Sequence, residues 1–235
     1  MRLKLSGPFR QAGVVMINKI YPTTLMIPLL AAGLFAQAPT KQGLLMALAA
    51  NGKQMAPYQW KQKVTVVRNG SPLEPTIEEL RFDASGQLQR TTLSKPEEQR
   101  MGPIRARKVA EVKESVMEVM QLARQYASPQ QLSQSIQKGE VWEGQGSLRI
   151  QARAMILPMD EMTVVFSGST YLPKRMDCKT QHDHSPVTIS VDYEKLPNGP
   201  SMMTRMTVQI PKENIVVNVD SYDFVRLAVP NVSGF

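Results

Sequence analysis

The chain holds one cysteine, Cys178, and two histidines, His182 and His184, among 235 residues. A single cysteine excludes an internal disulfide, and with it the class of small secreted module that is stapled rather than packed; stability has to come from a core. Two histidines are too few for most metal centres, which need three or four converging ligands with supporting hydrogen bonds. No G-x-S-x-G nucleophile elbow occurs. Gly144 and Gly146 have the spacing of a dinucleotide loop but no strand-turn-helix context. No internal repeat and no break in composition is found, so one domain is expected and no cofactor, metal or catalytic constellation is read.

Acidic residues are absent from the first 38 positions, where Arg2, Lys4, Arg10 and Lys19 stand. They precede an apolar run from Thr24 to Phe35 and the small-residue end Ala36-Gln37-Ala38. This is the pattern of a secretory signal peptide over 1–38. Pro28 interrupts the run, which is too short to span a bilayer comfortably. Met16 opens a sufficient signal by itself, which makes 1–15 a candidate start-site error. Cleavage after Ala38 would place Pro39 first, so cleavage after Ala36 is the alternative. Cys178 is far from this segment and offers no lipid attachment point there, so the mature protein, residues 39–235, is expected in the periplasm without a membrane span. The net charge of +8 contains those four basic residues, so the mature chain carries about +4. That is too modest for a nucleic-acid binder.

What is present is alternation. "YQWKQKVTVVRNG" places Tyr58, Trp60, Val64 and Val66 on one face of a strand ended by Asn69-Gly70. "TIEELRFDASGQLQRTTL" reads as two strands about Asp83 to Gly86. After Gly139 period 2 returns and persists. "VWEGQGSLRIQAR" reads as a strand with Trp142, Gly144, Gly146, Leu148 and Ile150 on one face. Later strands align Met162, Val164 and Phe166; Met176 and Cys178; Val187, Ile189, Val191 and Tyr193; Met202, Met206, Val208 and Ile210; then Ile215, Val217 and Val219. Consecutive strands with short turns are most simply antiparallel neighbours.

Three segments have helical period. Lys41 to Ala50 is expected to end at Asn51-Gly52. Ile104 to Ala127 carries a stripe of Val109, Val112, Val116, Val119, Ala123 and Tyr126. A third follows Ser128 as cap, Pro129 at the first position and Gln131 completing a capping box. The polar segment from Ser94 to Pro103 is read as a loop. A sheet with one apolar face cannot leave it bare, so the helices are expected to cover it. The fold class is α+β: a large curved antiparallel sheet, a half-barrel, with helices over its concave face.

The motif His182-Asp183-His184 falls between two paired strands, where the chain must reverse, and Asp183 and Ser185 are ordinary turn formers. A hairpin turn is the reading; a metal-assisted hydrolase built on these three residues is the minor one.

The fifteen methionines carry more meaning. Met162, Met176, Met202 and Met206 share the inward register, with Met117 and Met120 on the covering helix. Methionine fits surfaces that must adapt to shape, although it also fills ordinary cores. The expected ligand liners are Trp60, Val64, Leu148, Ile150, Met162, Val164, Phe166, Met176, Ile189, Val191, Met206 and Val208. Burial of acyl chains at roughly 0.8 kcal/mol per methylene would supply affinity. Cavity volume discriminates: a packed sheet–helix interface with no void would exclude such a carrier and leave an envelope structural or interaction domain that binds other envelope proteins.

The order of these elements, with "YQWKQKVTVV", "FDASGQLQ", "STYLPKRMDCKT", "PVTISVDYEKLPNG" and "IVVNVDSYDF", resembles the LolA/LolB-like periplasmic lipoprotein carriers. Thr170 to Arg175 resembles the family's entry to a sheet-edge strand. The resemblance implies an unclosed half-barrel plugged by helices, without catalysis, that receives a lipid or the acyl chains of a lipoprotein. In those carriers an arginine early in the sheet helps hold the lid; Arg68 and Arg81 stand in the first strands here, outside any recognisable motif, and the role is not carried to either.

Overall fold

The computed structural model describes residues 41–83, 85–94 and 103–227, with side chains of the last segment from 113 onward. The expected signal peptide, the loop around 95–102 and the side chains of Val109 and Val112 lie outside the described residues. Helix α1 (Lys41–Met55) precedes β1 (Tyr58–Arg68), the two-residue β2 (Ser71–Pro72), β3 (Thr76–Phe82) and β4 (Leu88–Ser94). Helices α2 (Pro103–Tyr126) and α3 (Pro129–Lys138) follow. Then come β5 (Glu140–Gly144), β6 (Ser147–Arg153), β7 (Glu161–Ser167), β8 (Pro173–His182), β9 (Ser185–Lys195), β10 (Ser201–Ile210) and β11 (Ile215–Arg226).

All eleven strands form one open antiparallel sheet, in the order β4-β3-β1-β11-β10-β9-β8-β7-β6-β5, with β2 paired to β1. The late strands are the expected meander. The early strands join it because β1 pairs with β11, matching Val64 to Val219 and Val66 to Val217. The outer face is charged: Arg175 pairs in register with Asp192 and Arg205 with Asp220, each as an ion pair at 3.2 Å. The inner face and the helices share one core, from Leu44 on α1 through Val119, Ala123 and Tyr126 on α2 and Ile136 on α3 to Val164, Ile189 and Val217.

Curvature follows from what α2 touches. Arg124 reaches Glu78 on β3, while the Tyr126 hydroxyl lies 3.0 Å from that of Thr180 on β8. Those strands are five spacings apart in the sheet order, about 24 Å if the sheet were flat. That is about twice the width of a helix with its side chains. The sheet therefore wraps around α2 as a half-barrel. No described helix is long and apolar enough to cross a membrane.

Several expectations need correction. The first helix runs through Asn51-Gly52 to Met55, because Asn51 is buried and its amide bonds both backbone groups of Ser201, accepting at 2.7 Å and donating at 2.9 Å. A tertiary contact overrides the local stop signal. The strand expected over 141–153 is a hairpin: Gly146 has φ +72, the chain turns there, and β5 pairs back on β6. Trp142 is consequently 57% exposed on the edge strand. A bulge between Met203 and Arg205 turns Met203 toward Tyr193 and the main core, and takes Met202 out of line with Met206 into a second cluster. Met117 is 65% exposed, on the flank of α2 beside the line of Val116, Val119, Met120 and Ala123. Ser128 caps α3 by accepting from the Gln131 amide at 3.3 Å, but its own amide bonds Gln125, so the capping box is half made.

The reversal at His182 is a two-residue hairpin. His182 pairs with Ser185, and Asp183 and His184 take φ +46 and +57. Two positive φ angles define a type I′ turn, which Asn-Gly satisfies without strain and histidine does not. His184→Gly is expected to raise stability by about 1 kcal/mol, seen as a higher urea midpoint at unchanged slope; a lower midpoint would contradict the turn geometry.

Candidate functional site

The site begins with the face that alternation built. Leu148, Ile150, Met162, Val164, Phe166, Met176, Ile189, Val191, Met206 and Val208 are all buried in the one core cluster. Val64 packs against that cluster half-buried. Trp60 does not join it. It lies with Leu80 and Met202 in a second cluster, its ring tilted against Phe82 at 5.7 Å. Gln62, buried between Trp60 and Val64 on β1, donates to Ser221 at 3.1 Å and marks the polar border between the two.

The described part of α2 packs its side chains directly onto this face. Two surface cavities, of about 320 Å³ beside Asn69 and Ile215 and about 420 Å³ beside Tyr193 and Ser201, are lined by none of the twelve expected liners. Over its described half, α2 buries Val119, Met120, Ala123 and Tyr126. Its flanks are held by polar contacts: Ser115 to Glu213 at 3.1 Å, Glu118 to His182 at 3.1 Å and Arg124 to Glu78 at 3.7 Å. Burial, with Arg90 nearby, lowers the Arg124 pKa against the pull of Glu78.

The C-terminal end of α2 is fixed by a charge. Asp160, almost wholly buried, accepts from the Tyr126 hydroxyl, from Thr180 at 2.7 Å, and from the amides of Ile156 and Leu157 at 2.9 and 2.6 Å. Four donors satisfy a carboxylate that would otherwise be costly to bury. Burial, then the bond to Asp160, holds the Tyr126 phenol far above its ordinary value. Burial also pushes the Cys178 thiol up to about 12, with Asp160 adding to it. Such a thiol is inert as a nucleophile. Tyr193 is raised by burial alone, and its hydroxyl has no partner among the described residues. Arg68, on the inner register of β1, has a buried Nε without a partner, while Arg81 is exposed.

Sequence reasoning missed Asp160, Thr180 and Glu118. A signal existed for Thr180: it continues the inward register of Met176 and Cys178, where a polar residue requires a partner. Nothing local marks Asp160, whose partners lie 20 and 34 positions away.

No protein-family model matches the chain, and no curated protein matches it. Solved structures show a likeness. A LolA superfamily protein from Nitrosomonas europaea is 11% identical over 83% of this chain and 96% of its own, with a TM-score of 0.41. A DUF1329 family protein from Desulfovibrio piger is 10% identical over 83% and 94%, at 0.39. An outer membrane lipoprotein-sorting protein domain from Vibrio parahaemolyticus is 7% identical over 79% and 91%, at 0.37. The chain is thus distantly similar to LolA-like structures, and the likeness is one of fold.

Asp160→Asn replaces an acceptor of four bonds by a group that must donate, and is expected to cost about 3 kcal/mol in denaturant unfolding; Tyr126→Phe is expected to cost about 2 kcal/mol. A raised phenol pKa stabilises the fold fully below about pH 10 and loses that contribution as pH climbs beyond it. Tyrosine absorbance on alkaline titration should therefore show Tyr126 and Tyr193 ionising only as the chain unfolds, and Tyr126→Phe should flatten the alkaline loss of stability. Free titration of both phenols in the folded protein would contradict the burial described.

Proposed function

We propose that the chain is an exported, non-catalytic binding protein, with a signal peptide over 1–38 and one half-barrel domain over 39–235, that takes the acyl chains of a lipid or an acylated lipoprotein beneath α2 and carries them across the periplasm. The observation that carries this reading is the way α2 is attached. It covers a methionine-bearing apolar face with four described buried side chains, and its flanks are held by contacts that water can replace.

Magnitudes decide what could open it. Exposing those four side chains costs about 6–10 kcal/mol at about 1.5–3 kcal/mol for each large one. An acyl chain of sixteen carbons returns about 13 kcal/mol if fully buried, at about 0.8 kcal/mol per methylene. One chain therefore roughly balances helix displacement once ordering is counted, and two or three chains exceed it. The reading favours multiply acylated ligands over free fatty acids.

A second reading rests on the direct packing of the described helices against the sheet: an envelope interaction domain whose core needs no ligand. It is favoured by the exposed edge strand β4, which presents Leu88 and Leu93.

Native mass spectrometry of the exported protein, before and after incubation with phospholipid and with a diacylated peptide, separates the two. The carrier reading expects a discrete one-ligand adduct with the acylated species; a persistently clean apo mass overturns it in favour of the interaction domain.

A further inference from the structure

The motif His182-Asp183-His184 is a turn, yet the structure places a third residue against it. Glu118 of α2 brings Oε2 to 3.1 Å from His182 Nε2, and Asp183 Oδ2 lies 3.8 Å from the same nitrogen. The three ligand atoms lie within 4.8 Å of one another. That Nε2 is shut off from solvent and makes no well-formed hydrogen bond. One imidazole nitrogen and two carboxylates thus converge from the turn and the covering helix, a donor set that a divalent ion can occupy.

A metal ion serves all three donors. Zinc binds imidazole nitrogen and carboxylate oxygen at about 2.0–2.2 Å, so two tetrahedral ligands stand about 3.4 Å apart. The distances of 3.1 and 3.8 Å fall on either side of that value. The Asp183 side chain is 90% exposed and free to swing inward. One imidazole with two carboxylates is a donor set that zinc and neighbouring first-row divalent ions accept, the fourth position being left to water.

We propose that Glu118, His182 and Asp183 bind one divalent transition-metal ion of the zinc class, and that the ion pins α2 to the β8–β9 turn. His184, the other half of the motif, is not a ligand. The placement gives the ion a structural consequence: Glu118 belongs to the covering helix and the other two ligands to the sheet, so occupancy fastens the cover. Metal binding itself does not depend on the carrier reading, and it is measured without any lipid.

The test uses the exported protein freed of metal by a chelator, titrated with Zn²⁺ by calorimetry and with Co²⁺ by visible absorption. One ion per chain is expected, with a Co²⁺ spectrum characteristic of nitrogen and oxygen ligation. His182→Ala and Glu118→Gln should each weaken binding by at least about tenfold, while His184→Ala should not. Zn²⁺ should raise the melting temperature of the wild type and of His184→Ala, but not of Glu118→Gln. Circular dichroism without metal confirms that each variant is folded. The site is overturned by no uptake in the wild type, by unchanged affinity in His182→Ala, or by loss of binding in His184→Ala. An equal Zn²⁺-dependent rise in melting temperature in Glu118→Gln overturns the pinning of α2.

Discussion

The buried carboxylate of Asp160 is the constraint from which the arrangement of sheet and helices follows. A desolvated charge is tolerated only when its lone pairs are filled, and here the donors come from three places in the chain: α2 through Tyr126, β8 through Thr180, and the turn that leads into β7 through two backbone amides. These bonds leave one position for the C-terminal end of α2. The rest of the helix is then directed along the trough, where the described part meets the sheet through a narrow apolar line and polar flanks.

That asymmetry links packing to function. One end of α2 is anchored by charge-assisted bonds in a dry setting, which are strong. Its middle is held by surface-facing contacts to Glu213 and His182, which are individually weak. On the carrier reading proposed above, the cover would pivot about Tyr126 rather than leave the sheet. The face beneath it is suited to refilling, since Met162, Met176 and Met206 can change rotamer to follow a new shape.

Much of this fold was legible because a half-buried sheet writes itself as period 2 and an amphipathic helix as period 3.6. Val187, Ile189 and Val191 lie inward as alternation requires, and the stripe from Val116 to Tyr126 faces the sheet. Several of the misreadings share a cause: they depend on groups distant in sequence. Asn51 stays helical because Ser201, 150 positions on, takes its amide. Met202 leaves its register at a bulge that alternation conceals, and Trp60 belongs to a cluster beyond a buried glutamine. Glu118 was indistinguishable from any solvent-facing helix residue until the fold set it beside His182.

The central claim is that α2 moves as a unit about its anchored end while the sheet stays folded. Hydrogen–deuterium exchange followed by mass spectrometry, with and without a diacylated peptide, tests it most directly. The account predicts that the peptide accelerates exchange in α2 ahead of residue 120 while β7, β8 and β9 remain protected, with the amides near Tyr126 changing least. Exchange in α2 that occurs only together with the sheet, and is unaffected by the peptide, would contradict it.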